Sequence, residues 1–535
     1  MSELGISGAG YLPRFVRFRF SRPGLLILTA LMAAACLVDP AQAPAQGFVP
    51  AKSARAFGDS VGVNVRLTHI DTTAYHDLPA VEARIRELGV RYVNDSLCPT
   101  CTYQVASLQR LGAAGIRANL GFGSLAGGTG AIAPGLQAVR TRLRSSIASF
   151  AGVNEPDVSG LPDWVARTRA YQAELARQVK ADPFLSRFPV IGPSLVNRGS
   201  RAALGDMTAW VDRGNIHPYS GGNPPLRNLL DEQQLMSAVS GSKPLVITEV
   251  GFHNDLAFNG PHRPASLRAT AIYTPRIALE AFRFGIERTY FYQLADYWRP
   301  SEAAAHGMSP SENSFGLLAA DLSRKPSFVA LRNLLRVVDG DSAPVANPGG
   351  LRYALNGAGP DVRQLLLRSA DGSYALVLWR DVSVWDRDAL RDLTPAPEAV
   401  QVALGQRIAS ARSFDPVSSD MATASWTDPQ RIPVELGGAP VVLRLAPPGT
   451  PAAGGVKKAL KVGTRSVRCG GKLKAHGSKK KRAQRRRARA GCCEAVRHLH
   501  VRDSKRKHRR HHHARKRPRA SWSAACSSVK HRHHK

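Results

Sequence analysis

The 535-residue sequence has no glycine-rich motif of the kind that binds a dinucleotide or a phosphate. After the N-terminal region it has no apolar segment long enough to span a membrane. Residues 58–342 contain no cluster of histidine, cysteine and acidic residues with the spacing of a metal site. These absences argue against a dinucleotide-binding protein and a membrane-spanning protein, and they predict neither a cofactor nor a metal.

Acidic residues are scarce at the C-terminus. From residue 451 onward there are 29 Lys+Arg and 2 Asp+Glu, whereas the first 450 residues carry a net charge of only +7 out of the total of +34. A segment so charged and so poor in apolar residues cannot fold alone, so we predict a disordered basic tail over residues 448–535. Its histidines include His511–His513, but repulsion among like charges works against tight metal binding there.

The tail could bind an anionic envelope polymer, a membrane surface or extracellular nucleic acid by releasing counterions. No folded element for specific nucleic-acid recognition is visible in it. The alternatives are a dispensable solvated extension and a misread reading frame.

The N-terminus has the pattern of a secretory signal peptide, which we assign to residues 1–45. Arginines from Arg14 to Arg22 precede an uncharged, largely apolar stretch from Gly24 to Val38. Small residues follow, and we place the cleavage after Ala45. A lipid-modified Cys36 is the alternative, and either route predicts a secreted, periplasmic or cell-surface protein.

Removal of Cys36 leaves six of the seven cysteines, a number that an oxidising compartment would tolerate as disulfides. The Cys98-Pro99-Thr100-Cys101 segment resembles a redox dithiol, but it follows a predicted strand and lacks the surrounding pattern of a thioredoxin. We interpret it as a local structural disulfide.

Strands and helices alternate after a linker predicted over residues 46–57. Eight such units over residues 58–342 predict an α/β fold, an eight-stranded β/α (TIM) barrel, with a doubly wound open sheet as the alternative. Short strands without helices over 343–447 predict a small all-β, sandwich-like domain. The barrel strands are predicted at Val61–Leu67, Val90–Val93, Ile116–Leu120, Ile147–Val153, Pro189–Ile191, Asn215–Tyr219, Leu245–Glu249 and Thr289–Leu294.

Two glutamates follow or end such strands, Glu155 after the fourth and Glu249 at the seventh. A barrel brings the carboxyl ends of its strands around one pocket. Paired carboxyls suit glycosidic cleavage, in which one donates a proton and the other attacks or supports the sugar carbon. A separation of about 5 Å implies a covalent intermediate and retention, and roughly 6.5–9.5 Å implies inversion.

At these positions the sequence resembles clan A glycoside hydrolases, the cellulase-like retaining enzymes. The resemblance covers about residues 58–340 and is carried by Asn154-Glu155-Pro156, His217-Pro218-Tyr219 and Glu249. It implies that Glu155 is the acid/base and Glu249 the nucleophile. It also implies that Asn154 holds the sugar 2-hydroxyl, that Tyr219 donates to Glu249, and that His217 lines the pocket near the acid/base.

The sequence departs from this family at the end of strand eight, where many relatives have a tryptophan as a sugar platform. Tyr292 and Trp298 are the alternatives for that role. An arginine often found early in the clan has only poor candidates here, Arg66 and Arg91. His69 is a further candidate sugar contact, with a loop hydrogen bond as the equal alternative.

These observations predict an exported glycoside hydrolase that cleaves a β-linked glycan or glycoside by a retaining mechanism with two glutamates. The alternatives are a barrel that binds carbohydrate without cleaving it, and a cationic cell-envelope adhesion protein in which the barrel is a scaffold. The sequence predicts no particular sugar and no oligomeric state.

Overall fold

A computed structural model describes residues 47–450, apart from the side chain of Leu226. The predicted signal peptide, including Cys36, and the predicted basic tail beyond residue 450 lie outside the described residues. None of the helices between 47 and 450 is both long and apolar enough to cross a membrane. The helices and strands of residues 47–450 belong to a single compact unit.

The first described residues form strands β1 (Gly47–Pro50) and β2 (Lys52–Ser53) and helix α1 (Ala54–Asp59). The linker predicted at 46–57 is therefore wrong. Strand β1 pairs with residues 350–353 and β2 with residues 367–368. The sequence did not reveal these strands because their hydrogen-bond partners lie about three hundred positions away in the chain.

Seven of the eight strands predicted from the alternating pattern form a curved parallel sheet. Their order in the sheet is β6-β5-β4-β3-β9-β8-β7, so neighbours in sequence are mostly neighbours in space. The seven strands are β3 (Val61–Asn64), β4 (Tyr92–Ser96), β5 (Arg117–Gly121), β6 (Ile147–Phe150), β7 (Gly214–Ile216), β8 (Leu245–Val250) and β9 (Arg288–Phe291).

The segment predicted as the fifth strand lies between the two edges of this sheet. Val190 forms a parallel bridge with Phe150, which ends β6, and Ile191 forms one with Arg213, which precedes β7. The Ile191 backbone N–H donates to the Phe150 carbonyl at 2.8 Å, and the Asp212 N–H donates to the Val190 carbonyl at 2.8 Å. Backbone hydrogen bonds thus connect both sheet edges through two residues.

Helices follow the strands and cover the sheet. In α2, the Asp77 carboxylate caps the first turn by accepting from the Ala80 N–H at 3.1 Å, and Gly89 ends the helix with a left-handed φ of 87°. The helices are α2 (Leu78–Leu88), α3 (Thr102–Ala113), α4 (Ile132–Arg142), α5 (Trp164–Ala181), α6 (Ser200–Leu204), α7 (Leu226–Ser240), α8 (Leu267–Arg283), α9 (Pro300–Ala303) and α10 (Pro326–Val337). Cys98 and Cys101 form a disulfide before α3, as expected for a local structural bridge.

After α10 the chain forms strands only. A four-stranded sheet has the order β1-β10-β15-β18, a six-stranded sheet the order β17-β16-β19-β12-β11-β2, and β13 pairs with β14. The strands are β10 (Gly350–Asn356), β11 (Val362–Arg368), β12 (Tyr374–Arg380), β13 (Trp385–Asp386), β14 (Arg391–Asp392), β15 (Glu398–Leu404), β16 (Ser410–Phe414), β17 (Ala422–Thr427), β18 (Arg431–Leu436) and β19 (Val441–Ala446).

Strand β12 is buried on both faces. Leu376 and Leu378 pack into a core shared by the two sheets, whereas Val377 and Trp379 pack into the core formed by the parallel sheet and its helices. Alternate residues of a strand point to opposite faces, so this strand joins the β sheets to the barrel. The Trp379 indole N–H also donates to the Glu280 carboxylate on α8 at 2.7 Å.

We expect Trp379→Phe to destabilise the protein by about 1–3 kcal/mol, because it leaves the buried Glu280 carboxylate without this donor. Glu280 is 1 % exposed, so water cannot replace the indole. Urea denaturation measures the change in the free energy of unfolding. Trp426→Phe, at a partly buried tryptophan of β17, is the matched control. An equal loss of unfolding free energy in the two variants would contradict the stabilising role of the hydrogen bond from Trp379 to Glu280.

Candidate active site

A cavity of about 790 Å³ lies where the chain leaves the carboxyl ends of the parallel strands. Arg66 follows β3, Glu155 follows β6, Tyr219 follows β7 and Tyr292 follows β9. Reacting groups of β/α barrels occupy this end because loops can vary there without disturbing the core. Charged and aromatic side chains that line the cavity are Arg66, Glu155, His217, Tyr219, Glu232, Glu249, His253, Phe258, His262, Tyr292, Glu312, Phe315 and Arg387.

Glu155 lies five residues beyond the end of β6, on a turn. Its backbone is left-handed, with φ 41° and ψ 54°, a conformation that costs energy for a residue with a side chain. The Glu155 N–H donates to the Ser194 hydroxyl at 3.0 Å, and Pro156 begins a short 3₁₀ turn over Pro156–Val158. These contacts fix a strained turn that presents the Glu155 carboxyl to the cavity, with 27 % of its side chain exposed.

Glu249 is within β8 and is 7 % exposed. The Tyr219 hydroxyl donates to its Oε2 at 3.1 Å, as the family resemblance implied. The Arg66 guanidinium lies 3.9 Å from its Oε1. Glu249 thus has both a hydrogen-bond donor and a cation beside its carboxyl oxygens.

His217 connects the two glutamates. Its Nδ1 lies 2.8 Å from Glu155 Oε1 and 3.9 Å from Glu249 Oε2. One ligand atom from each of the three side chains lies within 4.8 Å of the other two, an arrangement that could also hold a metal ion. The family resemblance implied that His217 lies near Glu155, whereas its approach to Glu249 was not predicted.

The hydrogen bond between His217 and Thr248 shows which ring nitrogen of His217 carries a proton. The Thr248 hydroxyl donates its single proton to Asn215 Oδ1 at 2.8 Å, so it can only accept from His217 Nε2, also at 2.8 Å. Nε2 therefore carries a proton. The 2.8 Å contact between Nδ1 and Glu155 Oε1 then contains one further proton, held by either atom.

Burial lowers the pKa of His217, but the negative charges of Glu249 and Glu155 outweigh it, and the net pKa is raised. The imidazole is therefore able to take up the shared proton. The shared proton can thus lie on His217 Nδ1 or on Glu155 Oε1.

A row of side-chain hydrogen bonds supports this site from below. Ser149 donates to Asn119 at 2.6 Å, Asn119 to Asn94 at 2.7 Å, and Asn94 to Asn64 at 2.5 Å. Asn64 then donates to the Thr248 carbonyl at 2.8 Å. The four side chains occupy paired register positions of adjacent strands, so this layer of the barrel is polar and ties Thr248 to four other strands.

The structure brings most of the predicted site residues to the cavity. Asn154 and Tyr292 line it together with the glutamates, His217 and Tyr219. Trp298 and His69 are not among its lining residues. Trp298 instead stacks on His306 with ring centroids 3.5 Å apart, and His69 stacks on Tyr297 at 5.4 Å.

Local contacts hold both residues outside the lining of this cavity. Trp298 is held by Asn313, whose side-chain amide oxygen Oδ1 accepts from the Trp298 backbone N–H at 2.9 Å. The backbone of His69 takes part in the loop hydrogen bonds that were its alternative role, accepting from the Thr72 hydroxyl at 2.8 Å.

Several lining residues were not predicted from the sequence or were considered poor candidates. Arg66 follows β3 by two positions, so the strand-end rule could have favoured it, whereas Arg91 precedes β4 and pairs with Asp59 at 2.7 Å. Glu312 comes from the loop after β9, where its carboxylate accepts from the Tyr292 hydroxyl. Burial raises the pKa of Glu312 and outweighs this hydrogen bond.

A second, smaller cavity of about 200 Å³ shares Arg66, Asn154 and Glu249 with the first. Its wall includes Asp95, which is 3 % exposed. Burial raises the pKa of Asp95 from 3.8 to about 6, although Gln104 donates to the carboxylate at 2.9 Å. Glu249 therefore lines both cavities.

No protein-family model matches this sequence, and no curated protein matches it either. Solved structures similar to the chain include a family 39 glycoside hydrolase from Bacteroides cellulosilyticus WH2, at a TM-score of 0.49 and 15 % identity over 74 % of this chain and 83 % of that one. A glucosidase from Croceicoccus marinus has a TM-score of 0.48 and 12 % identity over 75 % and 97 %.

AbfB, a family 51 α-L-arabinofuranosidase from Bifidobacterium longum, has a TM-score of 0.47 and 11 % identity over 75 % and 97 % of the two chains. These three neighbours are glycoside hydrolases. That is the class of enzyme which the sequence motifs resemble. At this level of similarity, the activity has to be inferred from the side chains of this protein.

The raised pKa of Asp95 predicts a pH dependence of stability. Between about pH 4 and pH 6 the folded state binds a proton that the unfolded state releases, so stability falls as pH rises through this window. The shift corresponds to roughly 3 kcal/mol. We expect Asp95→Asn to remove most of this fall, as measured by urea denaturation at several pH values. Asp341→Asn, at a side chain that is 91 % exposed, is the control. A wild-type slope in Asp95→Asn would contradict this expectation.

Proposed function

We propose that the protein is a retaining glycosidase that cleaves a β-linked glycan or glycoside. The observation that carries this proposal is the approach of Glu155 and Glu249, which have carboxylate oxygens within 4.8 Å of each other at a 790 Å³ cavity. Retaining glycosidases hold their two carboxyls about 5–5.5 Å apart, whereas inverting enzymes need roughly 6.5–9.5 Å to admit a water. The short separation favours retention.

In the first step, a Glu249 oxygen attacks the anomeric carbon while Glu155 gives a proton to the glycosidic oxygen. The carbon–oxygen bond to the leaving group breaks with its electron pair, and the sugar is left as an ester of Glu249. Tyr219 and Arg66 stabilise the charge of Glu249 before attack. They also stabilise the carboxylate that returns when the ester is cleaved.

In the second step, Glu155 takes a proton from water as the water oxygen attacks the anomeric carbon. The ester bond breaks, Glu249 regains its charge, and the sugar leaves with its original configuration. His217 supports both steps because its Nδ1 exchanges the shared proton with Glu155 over 2.8 Å. Asn154, exposed beside Glu155, is available to hold the sugar 2-hydroxyl.

We further propose that the scaffold is a closed eight-stranded β/α barrel, with Val190–Ile191 as the eighth strand. The parallel bridges from these residues to Phe150 and Arg213 support closure. Strands β6 and β7 are the two edges of the seven-stranded sheet, and closure brings these edges together. Glu155, which follows β6, can therefore contact His217, which follows β7.

The sequence pattern of residues 1–45 supports export, and the Cys98–Cys101 disulfide suits an oxidising compartment. We propose that the basic tail then holds the enzyme near anionic envelope polymers or a membrane surface. Release from isolated envelopes by salt, with hydrolytic activity kept in the released protein, would support this view. Salt release without hydrolysis of any aryl glycoside would favour an adhesion protein instead.

Single substitutions separate the roles of the two glutamates. We expect Glu249→Ala to lose most hydrolysis of aryl β-glycosides and to be rescued by azide to a glycosyl azide of inverted configuration. We expect Glu155→Ala to need an activated leaving group, and its azide product to keep the configuration. Chromatography and proton NMR of the products measure both outcomes.

Glu435→Ala is the control for these variants, because Glu435 is exposed on β18, within the β sheets. It should retain wild-type activity. Rescue of both glutamate variants to the same anomer would contradict the assigned roles.

Thr248→Val tests the function of the His217 contact. The substitution removes the hydroxyl that accepts from His217 Nε2, so it favours the tautomer with the proton on Nδ1. In that tautomer His217 donates to an ionised Glu155, and Glu155 is then a weaker acid. We expect kcat/KM to fall roughly tenfold or more for aryl glycosides with poor leaving groups, and much less for activated ones. Thr248→Ser keeps the hydroxyl and should behave like the wild type. An equal loss for both kinds of leaving group in Thr248→Val would contradict the role.

A further inference from the structure

One side chain of the cavity comes from the C-terminal β sheets. Arg387 follows β13, in the segment between β12 and β15, and lines the cavity together with residues of the barrel. The other residues that line the cavity lie between Arg66 and Phe315, in the part of the chain that forms the parallel sheet and its helices, so the C-terminal β sheets complete its wall.

The segment that carries Arg387 is fixed to the barrel. Trp385 is 3 % exposed, and its indole N–H donates to the Pro264 carbonyl at 2.9 Å. The Val384 N–H donates to the Tyr273 hydroxyl at 3.0 Å, and the Ser266 hydroxyl donates to the Asp392 carboxylate at 2.6 Å. The position of Arg387 is therefore set by contacts on both sides of it in the chain.

Arg387 also packs closely against the loop that follows Tyr219. Gly222 has a φ of 78°, and a Cβ added there would lie 3.1 Å from the Arg387 Cβ and 2.8 Å from the Pro264 carbonyl oxygen. Glycine at this position permits the approach. Arg387 thus lines the same side of the cavity as Ser220 and Gly221, directly after the residue that contacts Glu249.

The carboxylates of the cavity wall have other partners. Glu155 contacts His217, Glu249 contacts Tyr219 and Arg66, Glu232 pairs with Arg201, and Glu312 accepts from Tyr292. The ion pair of Arg387 is with its neighbour Asp388 at 3.7 Å, and the Asp388 side chain is 81 % exposed. An exposed pair of this kind contributes little and is easily exchanged for a ligand.

We propose that Arg387 makes the cavity selective for substrates that carry an anionic group, a carboxylate or a sulfate. The planar guanidinium binds such a group through two parallel hydrogen bonds. The β sheets are then part of the substrate-binding site rather than a separate module. This inference rests on the proposed glycosidase function.

The test compares pairs of aryl β-glycosides that differ by one charged group. A uronide against its parent hexoside, and a hexoside 6-sulfate against the same parent, place a carboxylate or a sulfate on the sugar. A 4-carboxyphenyl glycoside against its methyl ester places the charge on the leaving group. The variants are Arg387→Gln and, as the control, Arg407→Gln, at a side chain of the β sheets that is 72 % exposed.

We expect Arg387→Gln to lower kcat/KM for the preferred charged compound roughly 10- to 100-fold, while its neutral partner changes by less than about twofold. Arg407→Gln should change neither. Equal effects of Arg387→Gln on the charged and neutral members of every pair would overturn the inference and leave the glycosidase proposal intact.

A binding measurement does not depend on turnover. Titration calorimetry of wild type and Arg387→Gln with glucuronate, glucose 6-sulfate and glucose should show binding that depends on both the charge and Arg387. Such binding without hydrolysis of any glycoside would support the anion site and reject the glycosidase. Binding of either anion that Arg387→Gln does not weaken would reject the anion site.

Discussion

The parallel hydrogen bonding of the sheet is the constraint on which the site depends. It aligns the carboxyl ends of β6, β7 and β8, so that Glu155, His217 and Glu249 meet although they are separated by tens of residues in sequence. The polar row from Ser149 to Asn64 strengthens this alignment, since it joins neighbouring strands at one level just below the cavity. A shift of one strand by one residue would turn these side chains away from one another.

Two carboxyls held this close would repel each other if their surroundings were alike. Their surroundings differ. Glu249 is nearly buried, accepts a hydrogen bond from the Tyr219 hydroxyl and lies near the Arg66 guanidinium, which suits the proposed role as nucleophile. Glu155 is more exposed and shares a proton with His217, whose other nitrogen is fixed by Thr248. The two glutamates are thereby suited to different tasks, as acid/base chemistry on a glycosidic bond requires.

The sequence predicted much of this arrangement because β-branched runs mark buried strands, and strand ends mark the reactive edge of a barrel. It placed Glu155, His217, Tyr219 and Glu249 on the correct strands. It did not reveal β1 and β2, whose partners are distant in the chain. It also could not decide between Tyr292 and Trp298, because the direction of a loop depends on tertiary contacts such as the one from Asn313.

Arg387 is the clearest case of a site residue that the sequence does not reveal. Nothing in its local sequence marks it as a cavity residue, and only the packing of Trp385 and Gly222 brings it to the site. Arg66, by contrast, lies just beyond a strand end and was within reach of sequence reasoning. Residues at strand ends were therefore the easiest to predict from the sequence, and residues in loops were harder. Contacts between the barrel and the β sheets were the hardest.

The most direct test of the central claim is covalent trapping. Incubation with 2,4-dinitrophenyl 2-deoxy-2-fluoro-β-glycosides, followed by mass spectrometry of the intact protein and of its peptides, would identify the residue that attacks the sugar. The proposed mechanism predicts a single fluoroglycosyl adduct on Glu249, absent from Glu249→Ala. An adduct on Glu155, Glu312 or any other residue would contradict it.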